Sequence, residues 1–243
     1  MTDRQFRPSG FRLLPPVVKN LLIINGLLFL ATITFSQQFD LTDYLGLHYF
    51  KSPDFKPHQF ITYMFMHGGF AHIFFNMFAL WMFGNALENV WGGKRFLIYY
   101  MITGIGAGLL HLLVLYIQAT RIEAGLDSET ISYVATKGHE LLQEGRNFAD
   151  PSLGNLNMLY NSTTVGASGA VFGILLGFGM LFPNALIYLF FAIPIKAKYF
   201  VMMYGAIELY AGIANNPGDN VAHFAHLGGM IFGYVLIKYW HKK

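Results

Sequence analysis

Apolar positions in this chain fall into long uninterrupted runs, not the period-two or period-3.6 alternation of elements with one wet face. Six runs can be drawn: Leu21–Phe35, Phe70–Leu87, Phe96–Ile117, Ala167–Phe182, Tyr199–Ala214 and Val221–Tyr239. Segments apolar on every side are buried helices or membrane spans. The pattern therefore predicts an all-α polytopic membrane protein, a bundle of six transmembrane helices. Several runs are shorter than the ~20 residues a straight span needs, which a compact bundle or a locally thinned bilayer accommodates. Residues 1–20 read as a basic cytoplasmic lead into an uncleaved first span, and residues 21–240 as the six-span domain.

Two connections are unusual. The polar stretch Arg121–Thr164 is an extracytoplasmic insertion before the fourth run. Its Ile131, Val134, Leu141 and Leu142 among Glu129, Lys137, Glu140 and Glu144 predict one short amphipathic helix. Asp150-Pro151 and Asn161-Ser162 predict turns. Ala185–Ile195, between Pro183 and Lys196, is itself apolar and reads as a re-entrant or interfacial segment.

Composition sharpens this picture. Of 243 residues, 54% are hydrophobic and 12% charged, with mean hydropathy +0.43; soluble domains carry about 25% charge. Charge placement gives the orientation. With six spans, one side holds eleven basic residues, including Arg4, Arg7, Lys94, Arg95, Lys196 and Lys243, and the other holds five. By the positive-inside rule both termini are cytoplasmic. The net charge of +3 is scattered over span ends, so no nucleic-acid surface is indicated. The absence of cysteine excludes disulfides, thiolate metal sites and a cysteine nucleophile. His139-Glu140-Leu141-Leu142-Gln143 lacks the second histidine of a zinc-protease helix, and neither metal nor cofactor is expected.

Polar groups inside spans cost several kcal/mol unless satisfied, so each raises a functional question. His72 and Asn76 lie four residues apart on one helical face, with His67 just before them, and both can donate hydrogen bonds to a developing oxyanion. Gly166-Ala167-Ser168-Gly169 opens the fourth run, placing Ser168 at a loop-to-helix junction where backbone amides are unpaired. Gly169, Gly173 and Gly177 form a small-residue stripe on that helix. In the last run His226, Gly229 and Gly233 share a face, so close helix contact can bring a serine hydroxyl to an imidazole. His223 is the weaker base candidate. Glu88, His111 and Glu208 read as structural.

These clusters supply a nucleophile, a base and oxyanion donors, without a third acidic residue to orient the histidine. The pattern His67-Gly-x-x-x-His72-x-x-x-Asn76, then Gly166-Ala-Ser168-Gly, then Ala225-His226-x-x-Gly229-x-x-x-Gly233 resembles the bacterial rhomboid intramembrane proteases, over about Gln59 to Tyr239. The resemblance implies a six-span serine endopeptidase of a bacterial plasma or inner membrane, cutting transmembrane substrates. Ser168 is then the nucleophile and His226 the base. His72, Asn76 and the Ser168 amide would form the oxyanion hole, beside Gly166. It also implies that Phe172 stacks on the base, Glu88 stabilises the fold, His67 orders the mouth of the site, and Gly229 sustains helix contact. The Trp-Arg pair that rhomboids often carry in the first loop is absent between Gln37 and Gln59, and the loop before Ser168 is longer than in compact members. An inactive rhomboid-like binding protein, or a small transporter, is the alternative.

Overall fold

A computed structural model of the chain describes residues 12–189, 192–214 and 221–241. Most of the basic lead, and Lys242 and Lys243, lie outside the described residues. Helices α1 (Pro16–Phe35), α2 (Phe70–Trp91), α3 (Gly93–Glu123), α6 (Ser168–Leu181), α7 (Ala197–Ala214) and α8 (His223–His241) occupy the six apolar runs. Helices α4 (Ser128–Gln143) and α5 (Pro151–Tyr160) lie in the insertion. By length and hydropathy α1, α2 and α3 are each able to cross a membrane, and α6 is apolar but shorter. Large apolar side chains face outward along the bundle, among them Leu27, Phe75, Leu113, Met202 and Val235. Such a surface fits lipid and would be a liability in water.

The serine helix α6 sits near the middle and packs chiefly on α3 and α8. Its glycine stripe lies mainly against α3. A Cβ on Gly173 would fall 2.6 Å from Thr103 Cβ, and one on Gly177 would fall 3.1 Å from the Tyr99 hydroxyl. The stripe therefore seats α3, and Tyr99 donates from its hydroxyl to the Gly173 carbonyl at 2.7 Å. Backbone contact with α8 is tightest where a Cβ on Gly229 would overlap the Gly169 carbonyl.

Glu88 acts at a helix end. Its Oε1 and Oε2 accept from the Val17 and Val18 amides at 2.9 and 2.8 Å. Pro16 is the first residue of α1, so Glu88 satisfies the next two amides, which have no intrahelical partner, and puts its charge at the positive end of the dipole. Arg95, just after α2, lies instead 4.3 Å over the Trp240 ring.

Four sequence expectations change. The third helix runs past Ile117 to Glu123, taking Arg121 into its last turn. The insertion holds two helices rather than one. Asp150-Pro151 is a cap and first residue instead of a free turn, with Asp150 Oδ1 accepting from Ser152 and Leu153. The apolar segment before α7, read as re-entrant or interfacial, is an antiparallel hairpin, β3 (Leu186–Leu189) with β4 (Ile193–Lys196). Strand alternation of bulky residues there outweighs hydropathy.

Candidate active site

The loop entering α6 is tied down on both sides before it reaches the serine. Strand β2 (Thr163–Thr164) pairs with β1 (Leu47–His48) of the first loop, and the Gly166 amide donates to the Tyr63 carbonyl at 2.9 Å. Gly166 then takes φ 127°, a conformation L side chains rarely adopt. A Cβ at Gly166 would fall 2.7 Å from His72 Nε2 and 3.6 Å from Ser168 Oγ. The glycine thus leaves the space across which His72 and the serine face each other.

Ser168 begins α6, and its Oγ lies 2.8 Å from His226 Nε2 on α8. Phe172, one turn after the serine, lies flat on the His226 ring, with centroids 4.2 Å apart and planes 6° from parallel. His226 is 8% exposed, so the contact is shielded from bulk water. His72 Nδ1 faces the Gly68 amide at 3.4 Å, an arrangement that leaves the ring hydrogen on Nε2, toward Gly166. His67 meets the His72 ring edge-on at 5.1 Å. Asn76 is buried, with one amide hydrogen on the His72 carbonyl at 3.0 Å and a second still to donate.

Sequence reasoning missed Glu208. It is 8% exposed, and its Oε2 lies 2.8 Å from His226 Nδ1 and 2.7 Å from His223 Nδ1. An acidic residue does therefore stand behind the candidate base, contrary to the expectation that none would. The missed signal is depth. Helices α7 and α8 are antiparallel neighbours joined by a short connection, so Glu208, six residues before the end of α7, reaches the level of the first turns of α8.

Glu208, His223 and His226 present ligand atoms within 4.8 Å of one another, a set that could hold a metal ion. Their spacing argues for hydrogen bonds instead. Bonds of about 2.0–2.1 Å place the ligand atoms of a tetrahedral zinc about 3.3 Å apart, whereas both histidine nitrogens here touch one carboxylate oxygen at 2.7 and 2.8 Å.

Chemically, the arrangement offers a hydroxyl beside an imidazole at a helix N-terminus, with further N–H donors across a glycine: the components of acyl transfer. Comparison with known proteins bears on which family carries it. A Rhomboid domain model matches residues 54–243. The chain is 31% identical over 217 residues to the RHOMBOID-like protein 12, mitochondrial, of Arabidopsis thaliana, covering 88% of this chain and 55% of that protein. It is 28% identical over 169 residues to the Rhomboid protein 1, mitochondrial, of Saccharomyces cerevisiae, covering 70% and 38%. To the Rhomboid protease AarA of Providencia stuartii it is 25% identical over 182 residues, covering 71% and 52%. The chain thus spans about half the length, or less, of these relatives. The match takes in all three motifs that meet around Ser168, and on that ground the chain belongs to the rhomboid family, whose members are generally intramembrane serine proteases.

Proposed function

We infer that this protein is an intramembrane serine endopeptidase that hydrolyses peptide bonds in or near transmembrane segments, with Ser168 as nucleophile and His226 as general base. The observation that carries this reading is the 2.8 Å contact between Ser168 Oγ and His226 Nε2 in a buried, ring-stacked setting. Nε2 takes the hydroxyl proton as Oγ attacks the scissile carbonyl. The resulting oxyanion is met by the Ser168 amide, by His72 Nε2–H and by the free hydrogen of Asn76. Collapse passes the proton from His226 to the leaving amine. Water, deprotonated by the same imidazole, then releases the acyl group. Six spans with both termini cytoplasmic, in a bacterial inner membrane, complete the reading. The asymmetry of basic residues supports that orientation, and the outward apolar side chains support a lipid setting.

The test is a fluorophosphonate probe together with cleavage of a model transmembrane substrate in detergent or liposomes. Wild type should label at Ser168 and cleave. Ser168→Ala and His226→Ala should each abolish turnover, and the double variant should be no worse than either, because such residues act as a unit. A folded wild type that neither labels nor cleaves would overturn the reading in favour of an inactive membrane-binding relative.

A further inference from the structure

A buried carboxylate in an apolar helix carries a desolvation cost of several kcal/mol unless it is well paired. Glu208 is so placed, and both of its near partners are imidazoles. A carboxylate accepts hydrogen bonds and donates none, so each histidine nitrogen facing Oε2 must carry its hydrogen. For His226 this settles the tautomer. With Nδ1 protonated and 2.8 Å from Glu208, Nε2 presents its lone pair to the Ser168 hydroxyl, also at 2.8 Å. The opposite tautomer would aim a lone pair at a carboxylate and a hydrogen at the nucleophile, which disables the base. His223 adds a second donor to the same Oε2 at 2.7 Å from one turn earlier on α8. The carboxylate is thereby pinned between two imidazoles and cannot turn away from His226.

We propose that Glu208 is a positioning residue of the catalytic apparatus. It fixes the His226 tautomer and stabilises the imidazolium formed during acylation, and His223 clamps the carboxylate in place. The unit would be Ser168–His226–Glu208, an arrangement that recurs on unrelated soluble folds. This inference rests on the assignment of Ser168 and His226 made above. The carboxylate stays ionised throughout: the proton leaves Ser168 Oγ for His226 Nε2 and returns to the leaving amine, while the Nδ1 hydrogen remains on His226. Among the described residues the other titratable groups near His226 are His72, His111 and His223, none of them acidic. Among the described residues Glu208 is therefore the charge that offsets the imidazolium.

The experiment compares Glu208→Gln, Glu208→Asp, Glu208→Ala and His223→Ala with wild type and Ser168→Ala, reading kcat, KM, probe-labelling rate and detergent melting. Glu208→Gln should lower kcat steeply, by up to about 10⁴-fold, the loss seen when the third member of a triad is neutralised. KM and melting should stay near wild type, and labelling should slow in parallel. Glu208→Asp should recover part of the rate that Glu208→Ala loses, and His223→Ala should fall less than Glu208→Gln. In histidine-¹⁵N-labelled wild type, His226 should appear as the Nδ1–H tautomer and should become a mixture in Glu208→Gln. A Glu208→Gln enzyme within about twofold of wild-type kcat would overturn the proposal. So would a wild-type spectrum with His226 protonated at Nε2, which decides the matter even if Glu208→Gln does not fold. An active Ser168→Ala control would instead overturn the underlying assignment, whatever Glu208 does.

Discussion

At the scale of single residues, the direction of each hydrogen matters more than proximity. In the sequence His72 and Asn76 are two donors on one helical face. The structure ranks them. The Gly68 amide on Nδ1 leaves His72 Nε2–H pointing across Gly166 toward the serine, while Asn76 spends one hydrogen on the carbonyl of His72. Loss of a single oxyanion donor typically costs about 10²–10³ in kcat. His72→Ala and Asn76→Ala are therefore each expected to slow cleavage of a transmembrane substrate by that order, with His72→Ala the worse. Both should still label with fluorophosphonate, more slowly than wild type. Unchanged kcat in both variants would return these side chains to the framework. Phe172 belongs to the same scale: its face lies flat on the His226 imidazole and holds the plane of that ring.

Among elements, the sequence was informative about identity and less so about facing. The six apolar runs, the loop-to-helix start at Ser168 and the ordering of the motifs were legible, because hydropathy and glycine spacing are local properties. What a residue faces is not local. Glu208 was visible as an acid in an apolar run, yet its partners sit across an antiparallel neighbour. Gly173 was legible as part of a stripe, but the stripe turned out to receive Thr103 of α3 instead of α8. Two glycines that looked equivalent therefore make different predictions. Overpacking a filled site typically costs about 1–3 kcal/mol. Gly173→Ala should lower the detergent melting temperature, with labelling of the remaining folded enzyme near wild type, because the added methyl meets Thr103 of α3 and not the backbone contact between Gly169 and Gly229. Gly229→Ala presses on the Gly169 carbonyl, one residue from Ser168, and should cut the labelling rate of folded protein as well as the melting temperature. Equal labelling of the two folded variants would mean that the α6–α8 contact does not set the Ser168–His226 distance.

For the whole molecule, the insertion between α3 and α6 is the feature that distinguishes this chain from a compact bundle. It is a packed unit. Asp127 caps α4 through the Thr130 amide at 2.8 Å. Fully buried Asn157 donates to the Gly138 carbonyl at 3.1 Å and to Asn147 Oδ1 at 2.9 Å, joining α5 to α4. The unit is also fastened to its surroundings. Glu123, at the end of α3, pairs with Lys51 of the first loop at 2.7 Å and accepts from the Tyr160 hydroxyl at 2.6 Å. Tyr49 stacks on Tyr160 with centroids 5.9 Å apart. Burial first, then the Glu123 carboxylate, pushes the Tyr49 phenol up to about 12 and raises that of Tyr160. Both phenols therefore stay protonated at any working pH, so the Tyr160 bond to Glu123 does not lapse in mild alkali. Between this unit and the bundle lies a cavity of about 460 Å³, whose walls include Leu142 and Met158 of the insertion, Gln118 of α3 and His223 of α8. A spacer would have no need of a buried asparagine, an ion pair and a strand pairing, although long surface loops as such cost little. We expect the insertion to restrict which segments reach Ser168, because it is anchored at β2, four residues before Ser168, and shares a cavity wall with His223. Replacing residues 126–158 with a short Gly-Ser linker keeps Glu123, Tyr160 and both strands. The shortened protein should label at Ser168 at close to the wild-type rate and cleave a wider range of transmembrane segments, read out on a panel differing in bulk around the scissile bond. An unchanged range from a folded, labelled deletion variant would show that the unit supports the fold without selecting substrates.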